Sequence, residues 1–146
     1  MKILVVEDNP KHQRDVRTFL KTIPDVEPVF AWSLESAIEN MAGVDGVLSD
    51  IFLPLMDARR GEEAQHPIGV TVLIIARERN IPCVLVTAGY HHGNKYQPVC
   101  EFQRSIGAPE IVDGVDGSMS EAEAETKNWP KGLGVLRGLI QNRRNE

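Results

Sequence analysis

Lys2-Ile3-Leu4-Val5-Val6-Glu7-Asp8-Asn9-Pro10 is the stretch on which the fold turns. Its first five residues are apolar or long-stemmed, and β-branched side chains dominate, as suits a strand covered on both faces. Two carboxylates end the run. Asn9-Pro10 then supplies a helix N-cap followed by proline at the first helical position. Val16, Phe19, Leu20 and Ile23 continue as a helical stripe that Pro24 stops. A buried strand, an acidic turn and a helix make the opening of a βα unit.

The pattern returns along the chain. Val44-Asp45-Gly46-Val47-Leu48-Ser49 ends in Asp50, and Pro82-Cys83-Val84-Leu85-Val86 ends in Thr87-Ala88-Gly89. Val26–Ala31 reads as a short strand that Pro28 directs to a sheet edge, where a missing N–H is tolerated. Ser33 caps a helix carrying Leu34, Ala37, Ile38 and Met41, with Gly43 as its stop.

Residues 52–80 are the hardest to read. By composition Val70–Ile75 could form a hairpin with the run at 82–86. Ile68, Val72, Ile75 and Ala76 also fit helical spacing, and parallel strands need a crossover element, so the reading is a helix. Val99, Phe102 and Ile106 mark another helix, and Glu110-Ile111-Val112 a final strand. Asp113–Asn128 is acidic and turn-rich, and Pro130 opens a last helix with Leu133, Leu136, Leu139 and Ile140 inward. The sum is (βα)5, a doubly wound five-stranded parallel sheet. Its polar strand ends would meet at the sheet edge where α/β proteins place ligands.

With 146 residues, 42% hydrophobic and 25% charged, the chain is sized for one domain over 1–146 without a separate output domain. A net charge of -5 and a pI near 5.4 disfavour a protein built mainly to grip nucleic acid, which needs a basic face. Arg137, Arg143 and Arg144 make only a solvated helix end. Cys83 and Cys100 lack metal or disulfide spacing and read as free thiols. No apolar stretch approaches the roughly 20 residues of a membrane span, so the expected compartment is the cytoplasm.

The order Glu7-Asp8 after strand 1, Asp50 after strand 3 with Pro54 four residues on, and Thr87-Ala88 after strand 4 resembles the receiver domain of two-component response regulators, the CheY-like family. That resemblance implies a flavodoxin-like sheet of order 2-1-3-4-5. It also implies phosphoryl transfer from a sensor histidine kinase or phosphotransfer protein to Asp50. Mg²⁺ would be held by Asp8, Asp50 and the backbone carbonyl of Phe52, with Glu7 assisting through water; Thr87 and the Ala88 N–H would meet the phosphoryl group. The output partner is unspecified, and because family members dimerise through the faces around strands 4 and 5, a homodimer is among the implied assemblies. Beyond self-phosphorylation and its reversal, no enzymatic turnover is expected. The chemistry agrees: a carboxylate can attack phosphorus, and a divalent ion relieves the repulsion among crowded acids.

The chain departs from the family where strand 5 should end in lysine. Ile111-Val112-Asp113-Gly114 stands there instead; Lys95, Lys127 and Lys131 are the candidates to reach in, although none has the expected position. The strand-5 aromatic is also missing, with Tyr90 as a conceivable substitute. These losses motivate a second reading, a phosphorylation-independent protein-interaction module. A third, a metal-dependent phosphohydrolase, lacks a second acid at D-x-D spacing after Asp50. His91-His92 and the Asp113–Ser118 turn read as loop rather than metal sites, and His12 and His66 as exposed.

Overall fold

β1 (Lys2–Val6) pairs with β2 (Glu27–Ala31) on one side and with β3 (Gly46–Ser49) on the other, and β4 (Cys83–Leu85) lies beyond β3. The computed structural model describes residues 1–59, 66–88, 96–114 and 126–145. All pairings are parallel, with Val6 level with Ala31 and Ser49, and Ser49 level with Leu85. Each strand therefore ends at the same edge. β2 is a margin of this sheet, which accommodates Pro28.

The helices are α1 (Pro10–Leu20), α2 (Leu34–Asn40), α3 (Gly69–Glu78), α4 (Gln97–Ser105) and α5 (Trp129–Arg144). Because side chains alternate across a strand, β1 feeds two cores. Leu4 and Val6 join Val47 and Leu85 under Ala37, Val72 and Val99, on the face covered by α2, α3 and α4. Ile3 and Val5 join Leu48 and Val84 under Val16 and Leu136, on the face of α1 and α5. The stretch open to both hairpin and helix is the crossover helix α3, with Val72, Leu73 and Ala76 buried. Asn9 caps α1 as its sequence suggests, and Ser33 and Ser36 form a reciprocal cap on α2.

The fifth strand is shorter than expected. Val112 makes a single parallel bridge with Val86, held by Thr87 N–H to Val112 O and Val112 N–H to Leu85 O, each 2.9 Å. Pro109 offers no N–H before it, and Gly114 turns instead into an antiparallel bridge with Lys127. The doubly wound architecture is retained, with position 5 beside β4. Among the described residues no helix is long and apolar enough to cross a membrane.

Candidate functional site

Register puts the acids together. Asp50 N–H donates to Val6 O at 2.9 Å, so Asp50 leaves β3 beside the point where Glu7 leaves β1. One carboxylate oxygen from each of Glu7, Asp8 and Asp50 lies within 4.8 Å of the other two. Glu7 is fully buried and accepts from the Asn9 N–H at 3.0 Å, while Gln13 Nε2 donates to its backbone carbonyl. Helix α1 thus fixes the glutamate from below. Burial, reinforced by the Asp50 charge, pushes the Asp8 carboxyl up to about 6. Hard oxygen donors so close together fit a small divalent cation such as Mg²⁺.

A cation already in the chain reaches the same acids. The Lys127 ammonium pairs with Glu7 Oε2 and lies 2.8 Å from Asp50 Oδ1. Of the three lysines left open as substitutes, Lys127 is the one that reaches the acids, from a position other than the end of strand 5. Sequence order misleads because Lys127 arrives from the opposite direction: the bridge to Gly114 turns residues 126–128 back along the end of position 5, and the Asn128 side chain caps α5 immediately after. At Gly114 any Cβ would stand 2.2 Å from Ala88 O, so only glycine lets the two backbones approach this closely. Lys131 is exposed in the first turn of α5, and Lys95 lies outside the described residues, as do Tyr90, His91, His92 and residues 115–118 of the Asp113–Ser118 turn.

Lys127 is itself buried, with its Nζ 5.6 Å from the centre of the Trp129 ring. Burial alone would lower its proton affinity, but Asp50 and Glu7 outweigh that and hold the ammonium charged. For Glu7, burial and the Asp50 charge push the carboxyl upward, against the pull of Lys127. One ammonium thus faces three carboxyls at this mouth. Asp50 Oδ1 also accepts the Ile51 N–H at 2.8 Å. Oδ1 is thus engaged twice, by Lys127 and by the Ile51 N–H.

The rest of the mouth is built from β4 and the loop after β3. Thr87 is buried at the end of β4, and its Oγ1 lies 3.3 Å from the Tyr96 hydroxyl. Tyr96 in turn packs edge-on against Phe52, ring centres 5.5 Å apart. Tyr96, rather than a strand-5 aromatic or Tyr90, is thus the aromatic that meets Thr87 among the described residues. Leu34 and Glu35 N–H groups donate to Pro54 O and Leu55 O, and Ser33 Oγ donates to Asp57, so the loop carrying Phe52 also closes the start of α2. Gly69 closes the other side: its N–H donates to Ile51 O at 2.8 Å, and a Cβ there would sit 2.0 Å from Asp50 O.

His12 corrects another expectation. It is 8% exposed rather than solvated, with no partner for Nδ1 among the described residues. Burial, and secondarily the Lys127 charge, pushes it down to about 4, so it stays neutral. Its place on the inner side of the first turn of α1 follows from helix phase with Val16, which a polar residue type disguises.

Solved structures share this architecture. The non-phosphorylated receiver domain of the stress response regulator RcsB from Escherichia coli superposes with a TM-score of 0.61 at 15% identity, covering 94% of this chain and 93% of that one. The chain has the receiver fold. A chain from the complex of the CheA3 P1 domain with CheY6 from R. sphaeroides gives 0.59 at 21% identity, over 96% of each chain. A response regulator receiver domain protein from Clostridium thermocellum gives 0.58 at 19% identity, over 98% and 96%. No family model and no curated protein matches the sequence. At these identities the likeness carries the fold, and the acids, Thr87 and Lys127 must carry the chemistry.

Proposed function

We propose that this receiver-fold chain is a phospho-acceptor switch in two-component signalling. Asp50 takes a phosphoryl group from a sensor histidine kinase or phosphotransfer protein. The observation that supports it most is the Lys127 ammonium 2.8 Å from Asp50 Oδ1, within a cluster that also holds Glu7 and Asp8. In the transfer Asp50 Oδ2 attacks phosphorus, an O–P bond forms, and the P–N bond of a donor phosphohistidine breaks, its electron pair returning to the imidazole. Positioning and charge suffice for such a step.

Glu7, Asp8, Asp50 and the Phe52 carbonyl are the proposed holders of Mg²⁺. Bound there, the ion would neutralise the acids and the phosphoryl oxygens. Lys127, 2.8 Å from Asp50 Oδ1, offers a positive partner to the phosphoryl group. Thr87 donates to one of its oxygens after giving up Tyr96, and the Ala88 N–H meets another. The interaction module that works without phosphorylation drew its motive from a missing cation, and Lys127 removes that motive. The test is intact mass after incubation with acetyl phosphate and Mg²⁺. Wild type gains one phosphoryl group and Asp50→Asn gains none; a wild type that stays unmodified at saturating donor overturns the proposal.

A further inference from the structure

The opposite edge of the sheet carries a second concave feature. A cleft of about 680 Å³ opens there between the ends of α3, α4 and α5 and the start of β4. Leu73, Ile81 and Leu139 give it an apolar floor, and Arg77 and Arg143 stand on its rim. Its volume falls within the range of small-molecule sites, and Asn80 and Asn142 add two amides to the two arginines on an otherwise apolar lining. Cys83 at the base adds no charge, since burial pushes its thiol up to about 12.

Charge selects the ligand. No acid among the described residues lines the cleft, although the whole chain carries a net charge of -5. Arg137 and Arg144 on α5 are committed to Asp25 and Asp45, whereas Arg143 makes no ion pair among the described residues. Arg77 spends one N–H on Ile106 O, which closes α4, and keeps the rest of its fork. The helix ends nearby bear only partial negative charge. Their carbonyls are further answered by Ile81 N–H to Ala76 O and Ala108 N–H to Gln103 O.

We propose that this cleft binds a small amphipathic anion, an apolar body carrying one carboxylate or phosphate that the two guanidiniums grip. The site is separate from the acidic mouth, and binding there is read without any phosphorylation. The experiment is a titration of the whole chain with decanoate, decyl phosphate and neutral decanol below their micelle concentrations, followed by amide NMR shifts. Saturable shifts are expected at Ile81, Cys83, Gly107 and Ala108, with decanol about a hundredfold weaker, the scale of the two charge-assisted contacts it lacks. Arg143→Gln, at an exposed position, should weaken both anions about tenfold and leave decanol unchanged. Arg77→Gln serves as a second variant. Shifts that do not saturate, equal affinity for decanol, or indifference to both variants overturn the proposal. So does a ligand-free dimer that perturbs the same amides, which would assign the cleft to a second copy of the chain.

Discussion

Replacing Lys127 by Met tests the central electrostatic arrangement. Methionine keeps the buried aliphatic stem against Trp129 and deletes only the ammonium, 5.6 Å from that ring. Two carboxylates lose their shared partner: Glu7 is wholly buried and the Asp50 side chain is 15% exposed. Removing one member of a buried ion pair costs about 3–5 kcal/mol. Two effects reduce this, the residual solvent access of Asp50 and the ability of Glu7 to take up a proton. The lower end, about 3 kcal/mol, is the expected loss. For a domain of this length that lowers the melting temperature by about 6–12 °C.

Urea unfolding followed by tryptophan fluorescence measures the loss, since Trp129 sits beside the deleted group. A Glu7→Gln background supplies the control that a simple packing defect would fail. With Glu7 already neutral, deletion of Lys127 leaves one stranded acid instead of two, and the two changes should be less than additive by about 1–2 kcal/mol. A Lys127→Met cost under about 1 kcal/mol, or full additivity with Glu7→Gln, would refute the idea that this ammonium holds the acids together.

Three further outcomes follow from the same geometry. Asp8→Asn should weaken Mg²⁺ uptake by about tenfold or more, read by titration calorimetry, because it removes a charged oxygen from the cluster; unchanged affinity would remove Asp8 from the donor set. Gly69→Ala should destabilise the fold by about 1–3 kcal/mol and slow Asp50 phosphorylation, since its Cβ would meet the Asp50 carbonyl at 2.0 Å and backbone cannot step aside. An alanine variant with wild-type stability and rate contradicts that packing. His12, pushed down to about 4 from an ordinary 6.5, is neutral in the fold and protonated when unfolded between those values. The unfolded chain then binds more protons, so the histidine's effect is to erode stability as pH falls from about 6.5 towards 4, by about 1–3 kcal/mol. The Asp8 and Glu7 carboxyls titrate with the opposite sense, so His12→Leu is compared with wild type at pH 7 and 4.5; equal losses in the two proteins would show that His12 is not held neutral.

Local patterns in the chain reach far. The strand at 2–6, the Asn9-Pro10 start of α1, the Ser33 cap and the edge placement of Pro28 are each encoded within a few residues, and all stand in the structure. The convergence of Glu7, Asp8 and Asp50 was legible for the same reason: parallel strands of similar length must end together. Lys127 was not legible, because its position depends on a backbone bridge to Gly114, and no periodicity in residues 113–128 announces that pairing. Tyr96 escaped notice for a related reason. It stands just ahead of α4, in no strand, and meets Thr87 only through tertiary packing. His12 was misplaced because its residue type suggested solvent while its helix phase pointed inward.

The relocated lysine shows what this site requires of its surroundings. A charge-assisted contact near 2.8 Å depends on where the nitrogen sits in space, and any backbone path that delivers it there is chemically equivalent. Here two local devices fix that path. Gly114 permits backbone approach to Ala88 and Thr126, and Asn128 starts α5 through its bond to the Lys131 N–H. Between them Lys127 has little freedom, so the ordering cost of its long side chain is partly met by the fold. Asp113 at the end of position 5 therefore does not leave the acids without a positive partner: the charge comes from Lys127, in the segment leading into α5, and lies against Asp50 Oδ1.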